Sequence, residues 1–102
     1  NLPLYDNLRF SGGSIIINNI GIKGVILFNL NDQIMAWEAS CPNQYPSDCS
    51  KMEIEGLQSE CKCNGYKYSL ATGQILNPNL EKSYPMLSYR TLRSGSSVKI
   101  YN

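Results

Sequence analysis

Cys41-Pro42-Asn43 and Cys61-Lys62-Cys63-Asn64-Gly65 are the two stretches on which the reading of this chain turns. The first has the form Cys-x-Asn, the second Cys-x-x-Asn-Gly. The first lies between segments patterned as strands. Upstream of the first, Gly24 to Asn29 is an apolar run, and Asn29 to Asp32 turns the chain into Gln33 to Trp37, which reads as a β-hairpin. Between the motifs, Lys51-Met52-Glu53-Ile54-Glu55 alternates charged and apolar residues, the period of a half-buried strand; Gly56 breaks it, and Leu57 to Glu60 leads into the second motif. Further out, Ser14 to Ile17 is β-branched and ends at the turn signal Asn18-Asn19. Leu87 to Arg93 and Val98 to Tyr101 flank Ser94-Gly95-Ser96-Ser97, a predicted closing hairpin. No sustained helical period occurs, although a short helical turn fits Tyr5 to Leu8 or Leu80 to Lys82. The fold class read from this pattern is all-β.

The two motifs resemble the cluster-binding loops of Rieske [2Fe-2S] domains, the ISP-domain fold. That family reads Cys-x-His in the first loop and Cys-x-x-His-Gly in the second. Here Asn43 and Asn64 stand where both histidines would be, and the composition holds no histidine at all. The resemblance runs from about Gly24 to Tyr101, with cysteine loops at 41–49 and 61–65. Asp32 to Trp37 is similar to the strand before the first loop. Gly65-Tyr66-Lys67-Tyr68-Ser69 and Thr72-Gly73-Gln74 are similar to the His-Gly-Ser-x-Phe/Tyr run and the Thr-Gly-Glu turn, with Tyr68 at the aromatic position and Tyr66 replacing the serine that tunes high-potential clusters. Pro85 and Tyr89 resemble the proline loop and the start of the closing strands. The resemblance thus implies one Rieske-like domain over residues 1–102.

A Rieske cluster holds one iron by two thiolates and the other by two imidazoles. Imidazole is a good donor to iron, whereas a carboxamide is a neutral, weakly basic oxygen donor. Of the positions that match the ligands, Cys41, Asn43, Cys61 and Asn64, only the cysteines retain ligand chemistry. The expectation is a degenerate site that holds no metal and no cofactor.

Four cysteines permit three disulfide pairings, and sequence alone does not choose among them. The resemblance implies Cys41–Cys61, since those positions share one iron in the family, and Cys49–Cys63, since some members join a second cysteine from each loop. The loop before Cys49 is longer than the family's usual spacing. Closing a loop of around twenty residues is worth roughly 3 kcal/mol in the chain-entropy treatment, so bridges could replace the structural part of a cluster's role. They would also point to an oxidising compartment, a periplasm or cell surface. A tetrathiolate site for zinc or a plant-type [2Fe-2S] cluster is a competing reading, opposed by the single residue between Cys61 and Cys63 and by Pro42 and Pro46. Four free, buried thiols in a reducing compartment are a third.

The remaining composition restricts the function classes. A chain of 102 residues, 42% hydrophobic, has the material for one domain with a modest core. A net charge of +1 leaves no basic footprint for nucleic acid. Val25 to Phe28 and Ile15 to Ile17 are strand-sized runs, far short of a membrane span. The first residue is Asn1, which fits a mature or trimmed form, and related cluster-less proteins resemble exported bacterial lipoproteins, so an upstream anchor is compatible. Asp48, Glu53, Glu55 and Glu60 form no paired-carboxylate site, and alternation puts Glu53 and Glu55 on a solvated face. With no histidine and no nucleophile motif, hydrolytic catalysis has no apparatus.

Two functions follow from these residues. The first is a non-enzymatic, structural or protein-interaction module without cluster redox chemistry, disulfide-held, monomeric and exported. The second is a [2Fe-2S] electron-transfer protein with unusual, cysteine-rich ligation. Rieske domains meet their partners through this loop tip, so the resemblance implies Asn43, Gln44, Tyr45 and Asn64 as the contact surface for any protein partner, with Tyr45 as aromatic anchor. The first expectation for Tyr45, Tyr66 and Tyr68 is that they pack the loops.

Overall fold

The computed structural model describes residues 2–3, 8–43, 45–76, 84–94 and 97–101. Its described strands are β1 (Leu2–Pro3), β2 (Ser14–Ile17), β3 (Val25–Leu30), β4 (Gln33–Glu38), β5 (Glu53–Glu55), β6 (Gln58–Glu60), β7 (Lys67–Ser69), β8 (Ser88–Ser94) and β9 (Ser97–Tyr101). They form a six-stranded sheet in the order β1-β9-β8-β4-β3-β2 and a three-stranded sheet in the order β5-β6-β7. Every pairing is antiparallel. The all-β reading therefore holds, and the hairpins β3–β4 and β8–β9 lie where the apolar runs and turn signals put them. β1, β6 and β7 are strands that the sequence pattern does not predict. Of the two candidate helical turns, Leu8 sits in a 3₁₀ turn, while residues 4–7 and 80–82 lie outside the described residues.

Local chemistry accounts for the turns. Leu30 pairs with Gln33, so Asn31 and Asp32 alone make the β3–β4 turn, at φ 50° and 72°. Two positive φ values in a two-residue loop suit the right-handed twist of the strands it joins, and Asn and Asp tolerate that region best among non-glycine residues. Asn29, fully buried, locks the turn from inside: its Oδ1 accepts from the Asp32 amide at 2.9 Å, and its Nδ2 donates to the Leu8 carbonyl at 2.6 Å. Gly56, at φ 61°, opens the equally short β5–β6 turn.

The large sheet has a core on each face. β3 is buried on both sides, so its side chains divide between them. Val25 and Leu27 join Leu8, Ile34, Ala36 and Val98, with Ile15, Ile17 and Ile100 packed around them. Because β2 and β9 lie toward opposite ends of the strand order yet share this core, the sheet curls on itself. Ile26 and Phe28 point the other way, with Trp37, into a core completed by Cys41, Met52, Cys61, Tyr68, Leu70 and Met86. This second core joins the small sheet to the large one. Burying side chains of this size stabilises the joint by about 1.5–3 kcal/mol each. Trp37 fixes its geometry, since its Nε1–H donates to the Leu70 carbonyl at 2.7 Å.

Candidate functional site: two bridged cysteine loops

The first loop leaves the large sheet after β4. Its base is closed by the Cys41 amide donating to the Ser50 carbonyl (2.8 Å) and the Met52 amide donating to the Ala39 carbonyl (2.7 Å). The second loop joins β6 to β7. There the Cys61 amide donates to the Tyr66 carbonyl and the Gly65 amide to the Cys61 carbonyl, both at 2.8 Å, with Gly65 at φ 76°. Cys41 and Cys61 thus sit at the roots of their loops.

The structure joins Cys41 to Cys61 and Cys49 to Cys63, the pairing the resemblance implied. The S–S distances are 2.09 and 2.02 Å, and the Cα–Cα distances 5.6 and 5.1 Å. Both Cα spacings lie in the normal range for a disulfide. All four cysteines are paired in these two bridges. The bridges differ in environment. Cys41 and Cys61 are 3% and 0% exposed, whereas Cys49 is exposed and Cys63 half-buried.

Asn43 and Asn64 are both engaged. Asn43 Nδ2 donates to the Tyr68 hydroxyl (2.9 Å) and to the Tyr84 carbonyl (3.1 Å), while its Oδ1 accepts from the Tyr84 amide (2.8 Å). One carboxamide therefore ties the first loop to β7 and to the segment before Pro85. Asn64 Oδ1 accepts from the Tyr66 amide at 3.0 Å, a turn-forming contact inside its own loop. Burial pushes the Tyr68 phenol up from its ordinary value, with the Tyr66 phenol adding to it, while the Asn43 hydrogen bond acts the other way.

Of the three loop tyrosines, Tyr68 is fully buried and Tyr66 half-buried against the core, as expected of packing residues. Tyr45 is not: it is 90% exposed. With Pro42, Asn43 and Tyr84 it lines an open depression of about 440 Å³. Gln44, expected at the same tip, lies outside the described residues.

Among the described residues the carboxylates behave as surface groups, with one exception that the sequence reading passed over. Lys62 Nζ lies 2.6 Å from Glu60 and 3.5 Å from Glu53, and Lys67 lies 3.6 Å from Glu55. Such exposed pairs contribute little to stability. Glu38, by contrast, is 2% exposed. Its carboxylate accepts from the amides of Ile22 (2.7 Å), Lys23 (2.9 Å) and Ser40 (2.9 Å) and from the Tyr89 hydroxyl (2.7 Å). Burial acts to raise its pKa, but these four donors together outweigh it and hold the group below its usual value. Tyr89 is pushed up to about 12 by burial and by its bond to that carboxylate. A signal existed: period two puts Glu38 on the face of Ile34 and Ala36, an apolar face.

No family model and no curated protein matches the chain. Among solved structures, a chain in the "Complex of reduced oxygenase and oxidized ferredoxin in carbazole 1,9a-dioxygenase" shares the fold, with a TM-score of 0.66 at 18% identity, over 98% of this chain and 89% of that one. At that identity the likeness bears on the fold alone. The class defined here is an all-β protein of Rieske-like fold, with two cysteine loops side by side and joined by two disulfides.

Proposed function

We propose that this chain is a Rieske-like domain without a [2Fe-2S] cluster, serving as a structural or protein-interaction module and not as an enzyme. The observation that carries this reading is the state of the ligand positions. The Cys41 and Cys61 sulfurs are bonded to each other, and the Asn43 carboxamide makes three hydrogen bonds to Tyr68 and Tyr84. A Rieske cluster takes two thiolates and two imidazoles. Neither pair is present in a form that could ligate iron, so the donor set does not fit the cluster. The disulfides take over its cross-linking role, and they belong to an oxidising compartment, a periplasm or cell surface.

Protein purified anaerobically and without reductant is expected to be colourless, with no iron and no acid-labile sulfide. Stoichiometric iron with sulfide and visible absorption would overturn the reading in favour of an electron carrier with unusual ligation. The structural neighbour comes from a complex of an oxygenase with a ferredoxin, which favours a protein as partner. We place the contact at Tyr45, since an aromatic ring held in solvent beside a depression is the side chain at the tip best suited to anchor one. A pull-down from the source organism should lose its specific partner on Tyr45→Ala. A partner retained by that variant puts the interface elsewhere.

A further inference from the structure

We propose that the Cys49–Cys63 bridge is a thiol–disulfide exchange site, opened by a dithiol while the Cys41–Cys61 bridge stays closed. The proposal stands on the two bridges themselves and is independent of the reading of the cluster positions.

Exchange requires a thiolate to reach a disulfide sulfur. Cys49 meets that requirement, since it is exposed, and Cys63 is half-exposed behind it. Cys41 and Cys61, at 3% and 0% exposure, can be reached only after the joint between the two sheets opens. A second feature distinguishes the outer bridge. Ser47 Oγ lies 3.5 Å from Cys49 Sγ and 3.8 Å from Cys63 Sγ. The backbone that carries this hydroxyl is tied down by Ser50. The Ser47 amide donates to Ser50 Oγ at 2.8 Å, and the Ser47 carbonyl accepts from the Ser50 hydroxyl (2.9 Å) and amide (3.2 Å). Ser50 is fully buried, so the turn rests on a fixed anchor. Among the described residues no hydroxyl stands in this relation to Cys41 or Cys61.

The chemistry follows from the geometry. A thiolate of the dithiol bonds to Cys49 Sγ, the S–S bond breaks, and its electron pair leaves on Cys63 Sγ. Ser47 O–H can donate to the sulfur on which that negative charge appears, and a leaving thiol of lower pKa departs faster. The second sulfur of the dithiol then displaces Cys49. The dithiol becomes a disulfide and has lost two electrons, and its two protons finish on Cys49 and Cys63. The amide bonds at the base of the first loop and the inner bridge keep the loops in register, so the domain stays folded in both states.

The test is timed reduction of the native protein with dithiothreitol at fixed pH, quenched by alkylation and mapped by peptide mass. A species labelled only at Cys49 and Cys63 should accumulate, formed on the order of tenfold faster or more than any label at Cys41 or Cys61. Ser47→Ala should slow that step roughly threefold to tenfold, and Ser47→Thr, which keeps the hydroxyl, should restore it. Labels arriving on all four cysteines together, or on the inner pair first, would overturn the site. A rate indifferent to Ser47→Ala would overturn the assigned role of the hydroxyl.

Discussion

At Glu38 four donors converge on one carboxylate: the amides of Ile22, Lys23 and Ser40 and the Tyr89 hydroxyl. Three elements are drawn together by one side chain, the turn after β2, the start of the first cysteine loop and β8. Their hydrogen bonds are made to the charged form, which is why the group titrates below its ordinary 4.5 despite its burial. A carboxylate whose folded pKa lies below its unfolded one stabilises the fold above the unfolded value. That contribution is lost as the pH falls from about 4.5 through the lowered folded pKa. Glu38→Gln presents an amide N–H₂ to groups that are themselves donors, and it should cost about 1–3 kcal/mol at pH 6. The gap between wild type and variant in urea unfolding should then narrow at pH 3, below the ordinary value at which the unfolded carboxylate takes up its proton. An unchanged gap between the two pH values would show that the charge contributes nothing. Asn43 works on the same scale with neutral chemistry, its two donors and one acceptor all satisfied within the molecule.

The β3–β4 hairpin is the element that carries both cores, and its turn is tighter than its residues ideally suit. Asn31 and Asp32 hold positive φ. Asp32 is exposed, and among the described residues only its backbone is used, its amide bonded to Asn29 and its carbonyl accepting from Arg93 at 3.2 Å. Glycine at this position relieves the cost of the left-handed conformation, partly offset by the greater freedom of glycine in the unfolded chain. Asp32→Gly is therefore expected to stabilise the protein by about 0.5–1 kcal/mol, read as a higher midpoint of thermal or urea unfolding. A lower midpoint would mean that the Asp32 side chain has a role that its contacts do not reveal. The turn after β7 is the opposite case. Gly73, at φ 76°, lies so close to Trp37 that a Cβ would fall 2.6 Å from the ring. There the glycine is required by both backbone and neighbour.

Taken whole, the molecule is a curled sheet with a small sheet attached through one core, and the two disulfides lie along that attachment. The inner bridge is part of the core itself, while the outer one runs from Cys63, packed against the edge of that core, to the exposed Cys49. The outer bridge joins residues with a sequence separation of 14, which restricts the unfolded chain. Replacing both of its cysteines, Cys49→Ser with Cys63→Ser, should lower the unfolding free energy by about 2–5 kcal/mol and leave the far-ultraviolet dichroism of the folded state unchanged. A loss well under 1 kcal/mol, measured by denaturant titration, would mean that the strands and the Asn43 contacts hold the loops without it.

Strand positions, the β3–β4 turn and the solvated face of Glu53 and Glu55 are legible in the order of residues, because period-two alternation and turn chemistry are local properties. The absence of histidine is equally plain, and with it the weakness of the ligand set. The disulfide pairing was available only through resemblance, since spacing alone leaves three choices. What the tertiary structure alone decided are the partners of the residues so found. Asn43 meets Tyr84 across 41 residues, and Glu38 meets Tyr89 across 51. Tyr45 stands in solvent while Tyr68 is buried, although both are loop-side tyrosines in the sequence. The physical reason is the same in each case. Alternation says which way a side chain points, but only the packing of distant elements says what it points at.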